Sequence, residues 1–148
     1  KAKVSDFPSV LELIRELAEY ERAPEKVTNT VEQMVREKNF FECFVAETRE
    51  GAIVGMAVYY FVYYTWVGKS LYLDDIYVKE EYRKLGIGKN LLRKVFEVAA
   101  AKGCKRVRWQ VLGWNSNAIN VYRKAGADID DEWLNCTFDE NAIREFRL

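Results

Sequence analysis

Two features of this 148-residue chain hold residue types that can do chemistry. In the first, Arg83-Lys84-Leu85-Gly86-Ile87-Gly88 follows an apolar run ending Leu73-Asp74-Asp75-Ile76-Tyr77-Val78 and precedes a helical pattern that starts near Lys89. Strand, turn and helix N-terminus are read in one segment. Gly86 and Gly88 lack a Cβ and let the backbone approach a ligand, while first-turn amides without a helical acceptor point at whatever lies there. Such a place favours an anion, above all a phosphate. The second feature is the adjacent pair Asp74 and Asp75 inside an otherwise aromatic and aliphatic strand. Burying an unpaired carboxylate is costly, so a polar partner or a solvated cleft has to lie close by. Successive residues of a regular strand face opposite sides; a bulge would bring both carboxylates to bear on one cleft.

Three uses of the glycine loop compete. A nucleotide P-loop needs Gly-x-x-x-x-Gly-Lys-Ser/Thr, but Gly88-Lys89 is followed by Asn90, and position 83 is Arg. A dinucleotide fingerprint needs a third glycine where Leu91 stands, and a second βαβ half that does not follow. Arg-x-x-Gly-x-Gly after an apolar strand resembles the pyrophosphate-binding loop of the GNAT acetyltransferase superfamily, with a plain strand-to-helix turn as the bland alternative.

Composition removes other classes. Lys plus Arg equals Asp plus Glu, 23 against 23, so no basic field draws in nucleic acid. Histidine is absent, which rules out His-based nucleophile systems and His-ligated zinc in a single chain and leaves proton transfer to carboxylates, Tyr, Lys, Cys, backbone or water. Cys43, Cys104 and Cys136 are odd in number and contain no Cys-x-x-Cys pair, so buried thiols in a reducing, cytoplasmic setting are expected. No signal peptide or long apolar span points to a membrane. Lys1-Ala2-Lys3-Val4 reads as the tail of a strand whose beginning is missing, and a targeting segment could precede it.

The elements that must position these residues follow from periodicity. Asp6-Phe7-Pro8 offers a cap and a first-turn proline to a helix that carries Val10, Leu13, Ile14 and Leu17 and ends near Glu21. A shorter helix over 30–38 has Thr30 as its cap and Val31, Met34 and Val35 facing inward. Strands over 41–48, 53–63 and 70–78 form an antiparallel meander. After the loop comes a helix ending at Lys102-Gly103, then a strand over 106–111 parallel to the one before the helix. Asn115 or Ser116 caps a short helix through Tyr122 that stops at Gly126; 133–138 reads as a last strand before a polar helical tail. The class is α/β (α+β), one domain over 1–148, with a mixed sheet and helices on both faces.

A second segment makes a family resemblance specific. Trp114-Asn115-Ser116-Asn117-Ala118-Ile119-Asn120-Val121-Tyr122-Arg123-Lys124-Ala125-Gly126-Ala127, placed after the Arg83–Lys89 loop, resembles the second cofactor motif of the GNAT acetyltransferase superfamily. Tyr59–Gly68 and Leu71–Val78 resemble its diamine (spermidine/spermine) acetyltransferase family, nearest the thialysine-acetylating branch. The similarity runs from the first helix to about Trp133.

The resemblance implies a GNAT fold, a mostly antiparallel sheet in which two parallel strands splay apart, with acetyl-CoA as co-substrate and no metal. It implies that Ile76, Tyr77 and Val78 grip the pantetheine through backbone groups. Arg83, Lys84, Leu85, Gly86, Ile87, Gly88 and Lys89 would take the pyrophosphate, and Asn115, Asn117, Ala118 and Tyr122 complete the cofactor site. Tyr122 matches the family's general acid, an uncharged phenol at neutral pH that can protonate a leaving thiolate; a packed aromatic residue is the alternative. Asp74 stands where a Glu is usual and would help remove the amine's proton through water, while Asp75 would hold the cationic substrate. Tyr20 and Glu21 match a position that binds the amine chain, with a solvated helix end as the bland reading of Glu21. Trp66 either stacks on the substrate or is a core or hairpin-tip aromatic. Where spermidine-acetylating members carry an acid, this chain has Tyr64-Thr65-Trp66 after Tyr63, which favours a shorter amine. The expectation is direct acetyl transfer to a primary amine of a small diamine, polyamine or thialysine-like compound by a homodimer. A protein-amine acetyltransferase and a non-catalytic acyl-CoA module stay open.

Overall fold

Helix α1 (Phe7–Tyr20) forms where Pro8 sits in the first turn and apolar residues recur at helical spacing; Val10, Leu11 and Leu13 are buried along one face. Asp6 occupies the cap position, but its carboxylate turns outward to accept the Lys3 amide at 2.7 Å rather than a helix amide. The computed structural model describes Lys1–Arg147 as two compact units, one through Gln110 and one from Val111 onward. Helix α2 (Val31–Arg36) is capped by the Thr30 hydroxyl, which accepts the Gln33 amide at 3.1 Å. Met34 is buried, whereas Val35 is exposed, against expectation: in a helix this short only the Val31–Met34 flank reaches the core.

Among the described residues the sheet holds four strands in the order β1-β2-β3-β4: β1 (Glu42–Glu47), β2 (Ile53–Tyr64), β3 (Gly68–Val78) and β4 (Val107–Arg108). The first three are an antiparallel meander and β4 is parallel to β3, the mixed sheet expected. Helix α3 (Ile87–Ala101) makes the crossover between them and ends at Gly103 with φ 66°.

Strand alternation splits the core into two layers. Cys43, Met56 and Val58 pack with α1 and α2, while Ala57, Tyr59, Leu71, Leu73 and Val78 pack with Leu91, Val95 and Ala99 of α3. Gly55 is required by this packing. A Cβ there would stand 3.1 Å from the Tyr77 carbonyl oxygen and 3.3 Å from Val78 Cγ2.

Lys1–Lys3 form no strand, although the Ala2 amide donates to the Cys43 carbonyl at 2.8 Å. Cys43 is buried as expected and its thiol is pushed up to about 12, mainly by loss of water. Cys104 is half-buried and Cys136 is exposed, so the buried-thiol expectation fails for the last.

From Val111 onward no described residue is buried. Helix α4 (Ser116–Lys124) starts at Asn115, whose side chain accepts the Ala118 amide at 3.2 Å. It ends in a motif where Gly126 (φ 90°) lets the Ala127 amide reach the Tyr122 carbonyl at 3.0 Å. The strand expected over 133–138 is absent: no ladder of the described residues includes it, and Trp133, Leu134 and Phe138 are exposed. A strand needs an edge to pair with, and apolar alternation alone does not supply one. Helix α5 (Glu140–Glu145), capped by Asp139, is the polar tail.

Candidate active site

The decisive local feature is in β3. Its register on β2 runs Val58↔Asp75 and then Tyr59↔Leu73, so Asp74 is an extra residue without a partner. One inserted residue shifts the pleat by one position. Leu71 and Leu73 face α3 before it, and Ile76 and Val78 face α3 after it. Tyr77 packs on the α1 layer, and Asp74 and Asp75 fall between these phases, both on the α1 side.

The same shift changes which residues address the β4 edge. Before the bulge, the Lys69 carbonyl accepts from Lys105 at 2.8 Å and the Leu71 amide donates to Arg106 at 2.9 Å. Pairing with β4 stops at Tyr72↔Arg108. Beyond the bulge, alternation directs the amides and carbonyls of Ile76 and Val78 to that edge. The Val78 carbonyl accepts there from Arg83 Nε at 2.9 Å.

Asp75 is half-buried, and its carboxyl is pushed up to about 7, first by loss of water and then by the negative charges of Asp74 and Glu21. Asp74, still exposed, is raised by partial loss of water alone, and so is Glu21, the residue that ends α1. Three carboxyl groups converge, and the one nearest neutrality is Asp75.

Arg83 joins this region to the glycine loop. Its guanidinium lies over the Tyr20 ring (5.5 Å) and the Tyr77 ring (5.4 Å). Lys79 pairs with Glu16, a second tie between the end of β3 and α1. In the loop, Lys84 (φ 65°) and Gly86 (φ 79°) are both left-handed, a conformation strained for the lysine. Leu85 is exposed and Ile87 packs against the α3 layer. The Asn90 amide is the first that α3 satisfies, on the Gly86 carbonyl at 3.0 Å, which leaves the amides of Ile87, Gly88 and Lys89 without a helical acceptor. A Cβ on Gly88 would meet Val78 Cγ2 at an ordinary 3.8 Å, so that position is not closed by packing.

The structure brings Tyr20, Glu21, Asp74, Asp75, Tyr77 and Arg83 together and sets Trp66 apart. Trp66 is 84% exposed in the turn between β2 and β3, roughly 20 Å of strand from Asp74 at ~3.3 Å per residue. That placement agrees with a hairpin-tip aromatic. Within the second unit, Tyr122 is half-buried on α4, and burial raises its phenol so that it keeps its proton at neutral pH. Asn117 is exposed and Ala118 half-buried on the first turn of the same helix.

Side chains that sequence reasoning missed continue the acid-pair face: Tyr60, Tyr72, Arg106 and Arg108. Their signal was period-two spacing, with Arg106 and Arg108 alternating against Val107 and Trp109, but the pairing that joins them is long-range.

The model of the acetyltransferase (GNAT) family matches residues 7–127. The chain belongs to that family. A thialysine N-epsilon-acetyltransferase of Sus scrofa is 42% identical over 159 aligned positions, covering 98% of this chain and 94% of that protein. A human spermidine/spermine N(1)-acetyltransferase-like protein 1 is 36% identical, covering 88% of this chain and 20% of that longer protein. The crystal structure of an aminoglycoside acetyltransferase from an uncultured soil metagenomic sample superposes with a TM-score of 0.74 at 22% identity, over 93% of this chain and 92% of that one, a likeness of fold. This GNAT chain is thus an N-acetyltransferase that acts on amines.

Proposed function

We propose that this GNAT enzyme transfers acetyl directly from acetyl-CoA to a primary amine of a small thialysine-like or diamine compound. The observation that carries this reading is the bulge at Asp74, which turns two carboxylates to one face beside Glu21. An ammonium is drawn to that face, and it must lose a proton before its nitrogen has a lone pair to attack with. In the proposed reaction Asp75 holds the cation and Asp74 takes up the proton through water. The amine nitrogen then bonds to the thioester carbonyl carbon, and the carbon–sulfur bond breaks. Tyr122 gives its phenol proton to the departing thiolate.

On the cofactor side, the edge that Ile76 and Val78 address on either side of Tyr77 suits an amide-bearing pantetheine arm, which would take the Val78 carbonyl over from Arg83 Nε. The loop Arg83–Lys89, with Gly86 left-handed and three unbonded amides behind it, suits a pyrophosphate. Asn115, Asn117 and Ala118 are assigned to the same cofactor by the motif they belong to. Direct transfer is supported by the absence of histidine and of any cysteine within either cofactor motif.

The reading includes a homodimer in the cytoplasm. Exposed Trp133, Leu134 and Phe138 are the kind of apolar surface that a partner covers; no helix of the described residues is long and apolar enough to cross a membrane.

A panel of thialysine, lysine, short diamines, spermidine and a lysine peptide, read by release of free CoA thiol, tests the assignment. Transfer to the small amines is expected. Transfer confined to the peptide, or to none while CoA still binds, would replace it with a protein acetyltransferase or an acyl-CoA-binding module.

A further inference from the structure

The face that carries Asp74 and Asp75 extends back along β3 and β2 toward the hairpin tip. Tyr72 stacks there on Tyr60, with ring centroids 5.3 Å apart and planes at 26°. Next comes Tyr64, with the guanidinium carbons of Arg106 and Arg108 5.6 and 5.9 Å from its ring centroid. Arg108 is the ladder partner of Tyr72, so the pleat puts both side chains on one face, while Val107 and Trp109 turn toward α3. No ion pair of the described residues engages Arg106 or Arg108. A guanidinium drawn to a ring by its charge spends no N–H donor on it, so its fork stays available.

The face is therefore bipolar. Carboxylates stand at one end and two guanidinium groups at the other, with the stacked Tyr60 and Tyr72 rings level with Arg108 and the Tyr64 ring beside both guanidinium groups. Because Asp74 is the bulged residue, Asp75 lies only two ladder steps beyond Tyr72, about 7 Å along the strand at ~3.3 Å per residue.

We propose that Arg108, assisted by Arg106, binds the carboxylate of an amino acid whose far-end amine is the acetyl acceptor. Arg108 is thereby the residue that sets a thialysine-like amino acid above a diamine or polyamine at this site. This rests on the small-amine reading above. An extended chain of about six bonds from amine nitrogen to carboxyl carbon spans about 7–8 Å, the reach this face offers. A planar fork matches a carboxylate through two hydrogen bonds, and thioether or methylene groups pack well on aromatic rings. A polyamine laid along the same path would set an ammonium against two guanidinium groups, a like-charge contact that selects against it. The segment Tyr64-Thr65-Trp66 carries no acid and so offers that second ammonium no ion-pair partner.

The test compares thialysine with its decarboxylated diamine, which keeps the amine, the thioether and the chain, using wild type, Arg108→Gln and Arg108→Lys. Wild type is expected to prefer the amino acid at least ten-fold in kcat/KM. In Arg108→Gln that preference is expected to fall at least ten-fold, chiefly through KM, and Arg108→Lys is expected to recover part of it. If Arg108→Gln does not fold, judged by its thermal melt, the wild-type preference and the Lys variant decide. Equal wild-type efficiency on the two amines, or a preference unmoved by loss of the guanidinium, would overturn the carboxylate clamp alone. Transfer to neither amine would overturn the small-amine reading and the clamp with it.

Discussion

The two halves of β3 behave as different structures. Through Leu73 the strand is an ordinary interior one, paired with β2 on one side and reaching β4 on the other at Leu71 and Tyr72. From Asp74 to Val78 it keeps β2 but pairs with no strand of the described residues on its other edge, and its pleat is inverted. A single extra residue separates them. One bulge does two jobs here: it gathers two carboxylates on one face and re-aims backbone groups along the edge that faces away from β2. The first half is built into the core; the second carries the proposed chemistry.

The largest expected effect comes from removing the charge that the second half presents. Asp75→Asn keeps the shape and is expected to lower kcat/KM for the amine by roughly ten- to a hundred-fold, the ~1.5–3 kcal/mol of a lost hydrogen bond to a charged group, with the melting temperature unchanged or raised. A loss below three-fold in steady-state assays would mean that the two halves do not differ in the way argued. A smaller effect tests what seats the second half on its neighbours. Gly55 is the partner of Val78, and a Cβ there would come within 3.1 Å of the Tyr77 carbonyl and 3.4 Å of Leu91 Cδ1. Gly55→Val is expected to destabilise by about 1–3 kcal/mol, the cost of overpacking a filled core. Denaturant titration measures this, and an unchanged midpoint would show that this end of the sheet yields freely.

Much of this architecture was legible in the sequence because its signals are local. Thr30 and Asn115 act as caps, the left-handed Gly86 and Gly126 end or begin helices, and apolar periodicity placed α1, the meander and α3. The adjacent aspartates signalled a site, and the need for a bulge followed from strand geometry. Its position did not, since register depends on which β2 residue each β3 residue meets. The approach of Arg106 and Arg108 to Tyr64 was hidden for the same reason: it joins two strands across the α3 crossover. The misplaced strand at 133–138 had the right residue types and no edge to join. Arg83 shows the limit of motif reading, because its guanidinium is engaged by Tyr20, Tyr77 and the Val78 carbonyl, contacts no motif records.

Burial at the bulge brings the Asp75 carboxyl up to about 7, and in the proposed reaction it must be ionised to hold an amine. The pH dependence of kcat/KM tests it most directly, because that ratio reports the free enzyme. Asp75 is shifted up to about 7, so its ionised fraction grows, and activity rises, as pH increases through that value. The substrate's own ammonium titrates roughly three units higher, near 10 as a lysine-type amine, and contributes a separate slope. Wild type is predicted to show an acid limb near pH 7 that vanishes in Asp75→Asn, leaving only the amine's slope; a wild-type profile without that limb, or the same limb in the variant, would contradict the account.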